Sequence, residues 1–269
     1  MTNPRKYGLS PFSVAVIHGG PGGGSEMAEV AQELCSSRGI LEPLQTAHSL
    51  RAQVEELKGL LEECADLPVT LIGFSWGAWL SFFLAARYPA MIKRLVVIGC
   101  GPFQEKYVPR IMQTRLSRLS EEEGRQVESI FAILDGQNND LCEKNRLLAR
   151  LGELFSRTDC FDPIECKSTE SDYSTMSCHA DIYQSVWKEA SHLRQTGELL
   201  ALGKKILCPV VAIHGDWDPH PARGVCEPLQ ATLKRFPFKF IVLEDCGHKP
   251  WIERKAKDKF YSILKEVID

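Results

Sequence analysis

The sequence has no apolar run approaching the roughly 18 residues that a membrane-spanning helix requires, so a helical bilayer span is excluded. It has no excess of positive charge: 32 Lys and Arg stand against 35 Asp and Glu, a net charge of −3. With no basic stretch carrying interleaved aromatics, a nucleic-acid partner is not expected. The opening residues, Met1-Thr2-Asn3-Pro4-Arg5-Lys6, lack the apolar segment of a secretory signal, and a cytoplasmic location is the expectation. Ten cysteines are present but no Cys-x-x-Cys pair. Cys35, Cys64, Cys100, Cys208 and Cys246 fall in or beside predicted helices and strands, where a free thiol acts as a small hydrophobe. Cys160, Cys166 and Cys178 with His179 match no zinc-ligand spacing, so neither a metal nor a cofactor is expected. Repeats and low-complexity tracts are missing too. What is left, 44% hydrophobic and 25% charged residues over 269 positions, suits a globular chain with a sizeable core.

One stretch organises that chain. The β-branched run Val69-Thr70-Leu71-Ile72 enters Gly73-Phe74-Ser75-Trp76-Gly77, and an apolar helical run from Ala78 leaves it. Gly-x-Ser-x-Gly between a strand and a helix is the pattern of a nucleophile elbow, in which a strained turn pushes the serine hydroxyl out above a sheet. The flanking glycines fit because a side chain there would clash in so tight a turn. The Trp76 amide then sits at a helix N-terminus, where partial positive charge can meet a developing oxyanion.

Upstream, the strand Ser13–Ile17 runs into His18-Gly19-Gly20-Pro21-Gly22-Gly23-Gly24. No Gly-Lys-Ser/Thr follows, which excludes a phosphate loop, and the spacing is not that of a dinucleotide site. A glycine loop ending a strand ahead of a serine elbow fits a second oxyanion donor. Met27, Val30, Ala31 and Leu34 mark a helix with Ser25 as N-cap, Ile40-Leu41 a short strand, and Leu50, Val54, Leu57 and Leu61 a helix ending before Pro68. Strand 95–98 follows the elbow helix. From 103 to 205 the alternation stops: 110–118, 121–134, 141–155 and 181–202 read as amphipathic helices, with a loop at 136–140 and another from 157 to 177. The segment reads as a helical lid (103–205) over a core built from 1–102 and 206–269. Strands 208–214 and 240–243 resume the sheet, a helix interrupted or restarted at Pro228 lies between them, and a helix with Ala256, Phe260, Ile263 and Val267 closes the chain. The architecture expected is α/β: a mainly parallel, doubly wound sheet of about six strands with an inserted lid.

A serine hydroxyl needs a base, and the base needs an acid to hold its tautomer. After Ser75 come Asp216 and Asp218, then His248, each just past a predicted strand and so gathered on one sheet edge. Asp218 lies further into its turn, beside Pro219, and is the acid of choice; Asp216 reads as a loop tie. His248 follows Gly247 just before the last helix and fits the base. His18 and His214 close strands and read as loop braces, and His220 is a weaker competitor for the base.

His18-Gly19-Gly20-Pro21-Gly22, Gly73-Phe74-Ser75-Trp76-Gly77, Gly215-Asp216-Trp217-Asp218 with Pro221, and Gly247-His248 with Trp251 together resemble the α/β-hydrolase superfamily. That resemblance implies Ser75 as nucleophile, His248 as base, Asp218 as acid, and an oxyanion hole from the amides of Gly20 (or Gly19) and Trp76. His-Gly-Gly-Pro-Gly and Ser-Trp-Gly are similar to the proline iminopeptidase group, in which lid acids bind the substrate amine; Glu170, Asp172 and Glu198 are acids in this lid. The N-terminal arm is short, and that group's leading antiparallel strands are expected to be missing. The expected partner is a small-molecule ester, amide or short peptide, cleaved through an acyl-enzyme. The alternatives are an aminopeptidase and a ligand-binding relative without turnover.

Overall fold

The computed structural model describes residues 2–24, 26–136, 140–164 and 179–268. Ser25, Glu170, Asp172, Cys166 and Cys178, singled out above, lie outside the described residues, as do the centre of the 136–140 loop and most of the 157–177 loop. Among the described residues one seven-stranded sheet runs β1-β3-β2-β4-β5-β6-β7. Its strands are β1 (Arg5–Tyr7), β2 (Phe12–Ile17), β3 (Gly39–Glu42), β4 (Val69–Phe74), β5 (Ile92–Ile98), β6 (Val210–Gly215) and β7 (Phe238–Leu243). All neighbours pair in parallel except β1 with β3. β1 corrects the expectation of about six strands and of no leading antiparallel strand. It is three residues long with no hydrophobic alternation, and it is held by side chains far along the chain: the Tyr7 hydroxyl donates to Glu42 Oε2 at 2.7 Å and Arg5 Nη1 at 3.4 Å.

Parallel strands covered on both faces read as continuous apolar runs, and β4 and β5 do so because their side chains alternate between two cores. Ala15, Ile17, Leu71, Leu95 and Val97 enter one core with α2 (Leu50–Cys64) and α3 (Trp76–Arg87). Val14, Val16, Ile72, Val96 and Ile98 enter the other with α1 (Ala28–Leu34) and α10 (Lys257–Ile268). In α3 every residue from Trp76 to Ala86 is buried, so this helix has no solvent stripe.

Between β5 and β6 lie α4 (Val108–Ser117), α5 (Glu121–Asp135), α6 (Leu141–Thr158), α7 (Ala180–Gln195) and α8 (Glu198–Ala201). Capping explains their starts. Ser120 and Glu123 form a reciprocal capping box on α5, and Asp140 accepts the Cys142 and Glu143 amides on α6. Val127, Ile130, Leu134, Leu151 and Leu154 give the insertion a small core of its own. The single helix expected over 181–202 is two helices, because Gly197 adopts φ +81°, a left-handed stop that favours glycine. Conversely, α9 (Arg223–Thr232) runs unbroken through Pro228. Proline leaves the carbonyl four residues earlier without its helical partner, and here Gly224 O accepts from Phe103 N at 3.0 Å instead.

Phe82 is fully buried beside the Phe103 ring, 4.9 Å away between centroids. Phe82→Ala should therefore cost about 3–5 kcal/mol of unfolding free energy in urea titrations. A loss under about 1 kcal/mol would mean that this core collapses around the gap.

Candidate active site

The elbow forms because β4 must turn into α3 within one residue. Ser75 sits at φ 51°, ψ −112°, a strained conformation for a side-chain-bearing residue, held by its N–H donating to Ile98 O at 2.9 Å. A Cβ on Gly73 would lie 2.3 Å from Gly77 O, and one on Gly77 would lie 2.3 Å from Ile17 O. Both positions therefore demand glycine. Trp76 opens α3, so its N–H is among the donors that the helix itself leaves unpaired.

The rim beside Ser75 is built by the loops after β6 and β7. Asp218 has no exposed side-chain surface. Its Oδ2 accepts from His248 Nδ1 at 2.8 Å, and its Oδ1 accepts from both Nδ1 and the backbone N of His220, at 2.8 and 2.9 Å. His214 Nε2 donates to His220 O at 2.7 Å and lies 3.6 Å from Asp218 Oδ2. Burial alone would raise the Asp218 carboxyl, but the attraction of His248, His220 and His214 outweighs it and holds the group well below the usual range. Burial pushes His220 down to about 4, against the pull of Asp218, so at neutral pH this ring is uncharged. It stacks on His248 with centroids 4.6 Å apart and planes 30° from parallel. Asp216 instead accepts from Cys246 N at 3.2 Å.

Ser75, Trp76, Gly20, His248 and His220 line one cavity of about 490 Å³ at the C-terminal edge of the sheet. Phe74, the residue before Ser75, lies with its ring 4.7 Å from that of His248. Among the described residues no hydrogen bond joins Ser75 to His248, a looseness common in unliganded hydrolytic sites. Cys160 lines the same cavity, but burial pushes its thiol up to about 12, so it stays protonated. Asp218, His220 and His248 bring potential ligand atoms within 4.8 Å of one another. Both carboxylate oxygens already accept imidazole protons, which a cation would have to displace.

The glycine loop is held from behind. His18 is fully buried, and burial lowers its pKa. Its Nδ1 donates to Gly19 O at 2.8 Å, and its Nε2 accepts from Gln45 N at 3.2 Å. The Gln45 side chain donates to His18 O at 3.3 Å and accepts from Trp76 Nε1 at 2.8 Å, so one amide spans the glycine loop and the elbow. Gln53 accepts from the same indole at 3.2 Å.

Three groups missing from the sequence reading complete the site. Glu26 pairs with Lys249 at 2.9 Å, and Arg115 forms a two-pronged pair with Asp159, both at the cavity wall. Burial would raise the two acids, but Lys249 and Arg115 respectively keep them below the usual range. Buried Glu253 accepts from Phe161 N, Asp162 N and Gly247 N at 2.8–2.9 Å, and Asp159 O accepts from His248 N at 2.7 Å. The insertion is thereby tied to the His248 loop. None of these groups had a local signal, because each meets a partner distant in sequence.

A model of the alpha/beta hydrolase fold family matches residues 35–255. A cis-3-alkyl-4-alkyloxetan-2-one decarboxylase from Shewanella oneidensis is 35% identical over 57 residues, 21% of this chain and only 18% of the relative's length. The structure of VinJ aligns over 98% of this chain and 93% of its own at 17% identity, TM-score 0.70. The enol-lactonase from Burkholderia xenovorans LB400 aligns over 99% and 96% at 17% identity, TM-score 0.60. Similarity at that identity reports the fold.

His220 takes up its proton near pH 6.5 in an unfolded chain but only near pH 4 when folded. The unfolded state binds more protons in that window, so folding stability is lost as the pH is lowered through it, by about 3 kcal/mol in total. Guanidinium titrations at pH 7 and 4.5 measure the loss. His220→Phe is expected to lose distinctly less over the same range; an equal loss would assign the acid sensitivity to other groups.

Proposed function

The chain belongs to the α/β-hydrolase fold family, and on that premise we propose that it is a serine hydrolase of small carboxylic esters working through an acyl-enzyme on Ser75. What carries this assignment is the 2.8 Å hydrogen bond from His248 Nδ1 to buried Asp218, in a cavity shared with a serine held at φ 51°. With Nδ1–H committed to Asp218, Nε2 of His248 is the free lone pair and accepts the Ser75 proton as Oγ attacks the ester carbon. The oxyanion accepts from the Trp76 N–H and an N–H of the glycine loop, Gly20 or Gly19. Collapse expels the alcohol, which takes the proton from His248. Water, deprotonated by the same imidazole, then cleaves the acyl-enzyme and frees the acid and Ser75.

The helices between β5 and β6 act in this scheme as a lid that keeps bulk water from the acyl-enzyme. An aminopeptidase is less well supported. The acids lining the cavity, Glu26 and Asp159, already face Lys249 and Arg115. Glu198 lines a separate groove with Leu202 and Lys205.

A fluorophosphonate should label Ser75 in the folded protein, and Ser75→Ala should abolish both label and p-nitrophenyl acetate turnover. Asp218→Asn, which leaves His248 in the wrong tautomer, should lower kcat by roughly 10⁴. Folded protein that takes no label would point instead to a ligand-binding relative without turnover. Faster release from proline or alanine anilides than from esters would favour the peptidase.

A further inference from the structure

The cavity has two kinds of wall, and they differ in what they can bind. It carries charged side chains, but each is matched inside the protein: Glu26 with Lys249, Arg115 with Asp159, and Arg194 with Glu105 at 2.8 Å. A charged substrate group would have to break one of these pairs, and a partner left uncompensated in a buried site is costly. Away from the glycine loop the wall is hydrocarbon: Ile111 and Met112 from α4, Phe131 from α5, and Leu148, Leu151 and Phe155 from α6. Even the Arg115 guanidinium is laid flat on Phe155, 4.2 Å from the ring centroid.

In the middle of α6, on that same wall, stands Gly152. A glycine inside a helix is less favourable than alanine, and no left-handed backbone angle calls for it here. Unlike the tight glycines of the elbow, a Cβ at Gly152 would meet no atom within 4 Å. Nothing crowds the position, so packing does not demand the missing side chain. Gly152 is exposed, so a side chain added there would project into open space beside the wall.

We propose that the hydrolase takes esters of uncharged apolar acids, whose alkyl chain lies along α4, α5 and α6, and that Gly152 sets how long that chain can be. The proposal rests on the serine-hydrolase assignment above and narrows it to one substrate class. Each methylene buried against such a wall is removed from water, so selectivity should rise with chain length until the wall ends. A bulky side chain at 152 should end it sooner.

The experiment is a series of p-nitrophenyl esters from acetate through hexanoate to decanoate, run on the full chain, on Gly152→Phe and on Gly152→Ala. In the unaltered protein kcat/KM should climb by about tenfold or more from acetate to decanoate, within the range that a few methylenes supply. Gly152→Phe should cut the decanoate-to-acetate ratio about tenfold, chiefly through the KM for decanoate. Gly152→Ala, which favours the helix and so guards against a folding failure, should shift the ratio the same way by less. A flat or falling chain-length profile, with acetate hydrolysed and Ser75 labelled, would overturn the proposal while leaving the hydrolase assignment standing. So would a ratio unmoved in a folded Gly152→Phe protein, or an alanine p-nitrophenyl ester outrunning hexanoate. A chain that turns over no ester and takes no fluorophosphonate label would defeat both together.

Discussion

A carboxylate taken out of water must find its hydrogen bonds inside the protein, and Asp218 is that carboxylate here. With no exposed side-chain surface it is tolerable only because His248 and His220 donate to its two oxygens and His214 stands beside it. The consequences spread outward. His248 is fixed in the tautomer that leaves Nε2 free. His220 is held neutral and flat against it. The loop after β6 is drawn over the sheet edge far enough for its carboxylate to meet the loop after β7. Replacing water around Asp218 thus orders two loops and three rings at once, and the proposed chemistry at Ser75 depends on that order more than on any feature of Ser75 itself.

The elbow and the glycine loop depend on a second buried network of a different kind. Nothing in it is charged: a neutral His18, two glutamines and an indole share donors and acceptors behind the strand ends. Gln45 is its centre, because its backbone and side chain bond His18 while the side chain also holds Trp76. The two proposed oxyanion donors come from the segments after β2 and β4, which also pack directly on each other, Gly77 against Ile17 and Gly19 against Phe74. A shared amide between them is a cheap way to keep their N–H groups in one relation.

Much of this was legible in the sequence, and the reason is locality. The elbow, the Gly-His pair and the Asp-Pro turn are written in five residues or fewer, so their backbone demands can be read where they stand. Gly73 is required by Gly77 and Ala78 inside the turn itself, whereas Gly77 is required by Ile17 and His18 at the end of β2. The apolar runs of β2, β4 and β5 announce strands covered on both faces. What escaped is written across distance. β1 exists because Arg5 and Tyr7 find Glu42 some 35 residues away. Pro228 sits inside a helix because Phe103 supplies the missing donor. Gln45, Glu253 and the Arg115–Asp159 pair have no local pattern, since each joins elements separated by 31 to 92 residues. Gly197 was a local signal that the helical periodicity around it masked.

Glu253 sets a limit on how this architecture can be rearranged. Its Oε1 accepts from both Phe161 N and Gly247 N and its Oε2 from Asp162 N, so the stretch after α6 is stitched to the very loop that presents His248. Transplanting a foreign cap between β5 and β6 would therefore strand a buried anion and unmoor the imidazole, however well the new helices covered the cavity. The inserted helices and the proposed base are thereby mechanically linked, so a change in the insertion is felt at the imidazole.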